Sequence, residues 1–193
     1  MDIAAAIAVA YLLGSIPFGL LLTRLGGTED LRSVGSGNIG ATNVLRTGRK
    51  GLAAATLLLD LFKGLAAVLI AWRWSPEAAP WAALAAVIGH CYPLWLKFRG
   101  GKGVATTAGV SLALAWPIGL AYAAVWMAVF RLFKFSSLAG MAAAVSAPIT
   151  ALLLGKPEFA LPLGLIAALV LWLHRENIAR LRAGAEPKVG AKV

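Results

Sequence analysis

The chain has 193 residues, 60% hydrophobic and only 13% charged, where soluble globular proteins carry about 25% charged residues. With a mean hydropathy of +0.81, this balance excludes a soluble enzyme, a disordered tail and a nucleic-acid binder, leaving one integral membrane domain over 1–193. The 18 Lys and Arg against 8 Asp and Glu give a net charge of +10, which a membrane protein keeps in cytoplasmic loops or against anionic headgroups and phosphates.

In chain order, apolar runs near 3–22, 52–72 and 81–96 each suit one transmembrane helix of about 20 residues. The first lacks the basic leader of a signal peptide and reads as a span. The run at 104–130 is too long for one comfortable crossing and contains Pro117 and Gly119, so it divides into two short segments. These are either two crossings or the arms of a re-entrant hairpin. Runs at 138–154 and 159–173 complete an all-α polytopic bundle of seven segments, the fourth and fifth short.

Charge supports that division. With the N-terminus outside and the C-terminus cytoplasmic, the inner loops hold Arg24, Arg32, Arg46, Arg49, Lys50, Lys97, Arg99, Lys102, Arg131 and Lys134. The tail adds Arg175, Arg180, Arg182, Lys188 and Lys192, making fifteen inside against Arg73 and Lys156 outside. Treating 104–130 as one span would leave nine against eight, and the positive-inside rule rejects it. Cys91 stands alone, so no internal disulfide forms.

Polar residues gather in three clusters on the side this topology makes cytoplasmic. The first runs Gly35-Ser36-Gly37-Asn38-Ile39-Gly40-Ala41-Thr42-Asn43-Val44-Leu45-Arg46. It matches G-x-G-x-x-G only formally, because no βαβ unit surrounds it. Its glycines still allow backbone N–H groups to converge on an anion, with Ser36, Asn38, Thr42 and Asn43 as donors and Arg46 as fixed charge. In the second, Gly100, Gly101 and Gly103 surround Lys102 just before an expected helix, an arrangement suited to a phosphate. The third places His174 and Asn177 one turn apart, followed by Arg180, Glu186 and Lys188. Histidine is the usual proton-transfer group near neutral pH.

Within the bilayer, Asp60 and Lys63 lie one turn apart, either as a structural ion pair or as part of a functional site. His90 suits helix packing better than ligation, and no metal is expected because neither histidine has partners at ligand spacing. Ser136 fits a helix N-cap, and Ser137 follows it.

Together these stretches resemble the bacterial membrane glycerol-3-phosphate acyltransferases that use acyl-phosphate, the PlsY family. The resemblance is carried by Gly14-Ser15-Ile16-Pro17-Phe18-Gly19, by 35–46, by Asp60 with Lys63-Gly64, by Gly89-His90, by 97–106, by Ser137-Leu138 and by 174–188. It implies acyl transfer to the sn-1 hydroxyl of glycerol-3-phosphate, giving lysophosphatidic acid and phosphate, at the cytoplasmic face of the bacterial inner membrane. It implies no cofactor and, besides lipid, transient contact with the enzyme that makes acyl-phosphate. Ser36, Arg46, His174 and Asn177 would be catalytic. Gly37, Asn38, Gly40, Thr42, Asn43, Lys63, Gly100, Gly101, Lys102, Gly103 and Ser137 would bind substrate, and Asp60 and Glu186 would be structural. His174 is either a general base or a group that orients the hydroxyl while the donor's phosphate takes the proton. A transporter for a phosphorylated solute or a structural membrane subunit are the competing readings, the first favouring internal repeats and midplane sites.

Overall fold

The computed structural model describes residues 2–28 and 30–190; Lys192, counted above with the tail, lies outside them. Among the described residues the secondary structure is entirely helical. The elements are α1 (Ile3–Gly14), α2 (Phe18–Leu25), α3 (Ala41–Arg46), α4 (Lys50–Trp74), α5 (Ala79–Cys91), α6 (Val104–Leu114), α7 (Trp116–Phe133), α8 (Ser136–Leu153), α9 (Pro157–Leu173) and α10 (Arg175–Arg182).

The first apolar run is one broken span, Ile3–Leu25. Pro17 lacks an N–H and disfavours helical backbone at Ile16, so the helix stops and restarts there. Carbonyls freed by the break are taken up from other elements: Trp95 Nε1 donates to Ser15 O at 2.7 Å, and Lys63 Nζ donates to Ile16 O at 2.7 Å. Irregular backbone at membrane depth survives only with such partners.

Five helical stretches are long and apolar enough to cross a membrane, and six if α9 and α10, bent by 58°, are one span. The exception is α6, whose 11 residues extend only about 16 Å. The 104–130 run does divide, but not in the expected proportions. Its break falls at Ala115, which is extended (φ −159°), while Pro117 sits in the first turn of α7, where a missing N–H does no harm. The expectation of two short segments is corrected: α6 is short, and α7, with 18 residues, can cross.

The two helices fold back on each other. A Cβ at Gly119 would fall 2.5 Å from Leu112 Cα, so glycine permits the close return. Tyr122 Oη donates to Val104 O at 2.9 Å, and Trp72 Nε1 donates to Ala113 O at 3.2 Å, satisfying one of the last carbonyls of α6. Because α6 is the shorter arm, the loop before Val104 is recessed relative to the far end of α7. Ser136 opens α8 without capping it; Phe135 holds the cap position.

The core is built of small residues, including Ala67, Ala71, Ala82, Ala83, Ala86, Ala143, Ala144 and Ala147. Lipid tails are as apolar as leucine, so helices associate by close packing of small side chains rather than by exclusion from water. Between α1 and α5 that approach is at its limit. A Cβ at Gly14 would lie 2.0 Å from Ala86 O, and one at Gly89 would lie 2.2 Å from Tyr11 O.

Candidate active site

The loop before α3 is shaped by Gly35 (φ 55°) and Gly37 (φ 66°), both in the left-handed region. Asn38 Oδ1 accepts from Gly40 N at 2.8 Å, closing an Asx turn at the start of α3. Buried Asn43 then ties the loop together: its Nδ2 donates to Leu31 O and Val34 O at 2.9 Å each, and its Oδ1 accepts from Ser36 N at 3.2 Å. A Cβ at Gly35 would meet Arg46 Cδ at 2.8 Å, so glycine there lets the Arg46 stem cross the loop.

The second loop hangs from the end of α5. Gly100 N donates to Cys91 O and Gly101 N to His90 O, each at 3.0 Å, using carbonyls that a helix end leaves free. Gly103 (φ 81°) holds the N-cap position of α6. Lys102, half-buried, donates its Nζ proton to Asn177 Oδ1. Burial, and secondarily the charge of Arg180, lower its pKa from the usual lysine value.

At the end of α9 the chain turns through His174. Burial lowers its pKa to about 4, although the Val170 carbonyl pulls the other way. The ring is therefore neutral at pH 7. Nδ1 lies 2.8 Å from Val170 O, which fixes the proton on Nδ1 and leaves Nε2 as an acceptor. Glu186 joins the last elements. Ser137 Oγ and Asn177 Nδ2 each donate to its Oε1 at 2.6 Å, and Arg180 Nε donates to Oε2 at 2.7 Å. Burial alone would raise the Glu186 pKa, but these three donors hold it below the ordinary carboxylate value. The tail is fixed further by Val189 N donating to Lys134 O at 3.0 Å.

All three sequence clusters open into one cavity of about 810 Å³. The family model described as glycerol-3-phosphate acyltransferase matches residues 4–184. The chain belongs to the glycerol-3-phosphate acyltransferase family. It is 58% identical over 192 residues to the glycerol-3-phosphate acyltransferase of Erythrobacter litoralis, covering 100% of this chain and 98% of that one. The Mesorhizobium japonicum protein of the same name is 58% identical over 187 residues, covering 97% and 96%. A crystal structure of PlsY, an integral membrane glycerol 3-phosphate acyltransferase, in its glycerol 3-phosphate form superposes with a TM-score of 0.93 at 40% identity, covering 97% of this chain and 96% of that one. The PlsY form with lysophosphatidic acid gives 0.90 at 37%, covering 96% and 94%. The protein is an integral membrane acyltransferase of phospholipid synthesis, and the transporter and structural-subunit readings fall away.

In this acyltransferase, Ser36, Asn38, Gly40, Thr42, Asn43 and Arg46 line one side of the cavity, with Lys102, Ser137, His174, Asn177 and Glu186 completing it. Gly37, Gly100, Gly101 and Gly103 shape the loops without lining it. Lys63, expected to bind substrate, does not reach the cavity; its ammonium lies 2.7 Å from Asp60 Oδ1 and bonds Ile16 O. Asn43, expected as a substrate donor, spends its amide protons on the loop, and the Ser137 hydroxyl proton is spent on Glu186. Asp60, for which the sequence left a structural ion pair or a functional site open and the resemblance implied a structural role, and His90, expected to pack, both reach the cavity wall.

An apolar wall of Leu57, Val104, Trp126 and Leu173 was not foreseen. No signal marks it in the sequence, because apolar side chains inside apolar spans look alike before packing is known. Among the described residues no three His, Cys, Asp or Glu side chains group to hold a metal ion.

Proposed function

We propose that this acyltransferase takes acyl-phosphate as donor and esterifies the sn-1 hydroxyl of glycerol-3-phosphate. The observation that carries the reading is that Arg46 and Lys102, cations from two separate loops, line the same cavity as the apolar wall of Leu57, Val104, Trp126 and Leu173. Two anionic groups and one acyl chain need such a combination. Lys102 would hold the phosphate of glycerol-3-phosphate, and Arg46 with Ser36 the phosphate of the donor. Held together, hydroxyl and carbonyl react as neighbours, and orientation of this kind contributes up to about 7–11 kcal/mol.

In the step itself, the hydroxyl oxygen attacks the acyl carbonyl carbon, the bond from that carbon to the phosphate oxygen breaks, and inorganic phosphate leaves. Acyl-phosphate is already a mixed anhydride, so no covalent acyl-enzyme is required. His174 Nε2 accepts a hydrogen bond from the hydroxyl and aims it. With a pKa of about 4, the imidazole is a poor proton acceptor, whereas phosphate groups have a second pKa of roughly 6. The departing phosphate therefore takes the proton. Arg46 and the Ser36 hydroxyl would stabilise charge building on it.

Purified enzyme offered acyl-phosphate, acyl-CoA and acyl-carrier protein in separate assays should turn over with the first alone. Turnover with acyl-CoA and none with acyl-phosphate would overturn the donor assignment.

The same reading sets the orientation. Seven segments, with α6 and α7 as an unequal pair, put the N-terminus outside and the cavity and tail at the cytoplasm, where both phosphorylated substrates arise. The charge count of fifteen against two supports this. A cysteine at Glu77 should label only from outside and one at Ala185 only from the cytoplasm; the reverse pattern would invert the topology.

A further inference from the structure

Asp60 and His90 at the cavity wall, with Lys63 behind them, form a buried polar cluster that this chemistry leaves unused. Asp60 and Lys63 on α4 and His90 on α5 have side chains only 4%, 2% and 4% exposed. Lys63 Nζ is 2.7 Å from Asp60 Oδ1, and His90 Nδ1 is 3.6 Å from the same oxygen. Charged groups at such depth are expensive and mark functional positions in membrane proteins. A buried ion pair is, besides, a weak source of stability in itself.

The cluster makes two outward connections. Through Lys63 it holds the backbone break between α1 and α2, at Ile16 O. Through His90 it meets the Lys102 loop: the His90 carbonyl accepts from Gly101 N at 3.0 Å. The imidazole lies directly on Gly101, where a Cβ would fall 2.0 Å from Nε2. Lys102, which lines the cavity, is the next residue in that loop.

We propose that Asp60, Lys63 and His90 form a positioning unit for the Lys102 loop, in which Lys63 holds the Asp60 carboxylate, that carboxylate backs the imidazole by packing and charge at 3.6 Å without a hydrogen bond, and the imidazole sets Gly101. The inference rests on Lys102 contacting the glycerol-3-phosphate phosphate. None of the three residues takes part in the chemical step; they act through Lys102.

The test is steady-state kinetics on purified enzyme in detergent. His90→Ala should raise the KM for glycerol-3-phosphate about 10- to 100-fold, the scale of a misplacement near 1 Å, with kcat and the KM for acyl-phosphate little changed. Gly101→Ala should do at least as much, because its methyl group collides with the ring. His90→Ala combined with Gly101→Ala should recover part of the loss, because the small side chain makes room. In a Lys102→Ala background, His90→Ala should add nothing.

A lowered melting temperature with an unchanged KM in His90→Ala would reduce the cluster to structural ballast and overturn the proposal, as would effects that multiply in the Lys102→Ala background. Asp60→Asn alone strands the Lys63 charge and can fail to fold, so Asp60→Asn with Lys63→Met, which removes both charges, is the companion variant; it should reproduce the KM defect. If Lys102→Ala and His90→Ala both raise the KM of acyl-phosphate instead, the substrate assigned to Lys102 is wrong while the positioning role stands.

Discussion

Lys102→Ala should raise the KM for glycerol-3-phosphate roughly 10- to 150-fold while lowering kcat far less. A charge-assisted hydrogen bond contributes about 1.5–3 kcal/mol, and a contact made equally in the ground and transition states appears in KM. The ammonium is half-buried and bonded to the neutral amide oxygen of Asn177. It is therefore only partly solvated before substrate arrives, and a phosphate returns what burial removed. Lys102→Arg should rescue poorly, since a planar fork cannot replace a compact point charge against Asn177. The lowered pKa of Lys102 adds a pH signature. Its proton is lost at lower pH than from an ordinary lysine, so the KM for glycerol-3-phosphate should climb with rising pH before the usual lysine range is reached. Titration of glycerol-3-phosphate at saturating acyl-phosphate, repeated across pH, measures both effects. A fall in kcat with an unchanged KM would move Lys102 from substrate binding to transition-state stabilisation.

His174→Ala should lower kcat/KM about 100-fold, shared between kcat and KM, because a hydroxyl left unaimed is misplaced by a fraction of an ångström to an ångström. The pH profile separates aiming from proton abstraction. If the donor phosphate takes the proton, activity falls on the acid side with a pKa of roughly 6, and that limb should persist in His174→Ala. If His174 were the base, the limb would lie near its own pKa of about 4 and vanish in the variant. Stability gives a second reading of the same group. The folded pKa is depressed, so the unfolded chain binds more protons between about 4 and the ordinary histidine value of 6.5. Stability should therefore drop as pH falls through that window, and His174→Ala should lack this part of the drop. Thermal unfolding in detergent between pH 4 and 7 would show it.

Both residues could be named from the sequence because the signals that mark them are local. Glycines around one lysine, or a histidine and an asparagine one turn apart, lie within a few residues of each other, and each apolar run that became α4, α5, α8 or α9 is one continuous stretch. Hydropathy and charge sufficed for an all-helical membrane protein with three polar clusters, because the bilayer demands apolar length and asymmetric charge of each segment separately.

Tertiary structure decided what those residues touch. Lys63 sits on the same helix face as Asp60, and one turn of spacing could not tell whether its ammonium entered the cavity or the gap left by Pro17; Ile16 O, 47 residues away, settled that. Asn43 looks like a free donor until Leu31 and Val34 claim both its protons. The length of α6 depended on where the return of α7 could pack, with Gly119 against Leu112 and Tyr122 against Val104. The pairing of Lys102 with Asn177 spans 75 residues. Such contacts follow from how helices with small-residue faces approach one another. Hydropathy does not carry that information; the order of alanines and glycines along each face, with polar contacts such as Tyr122 to Val104 and Lys63 to Ile16, fixes which helices meet and at what height.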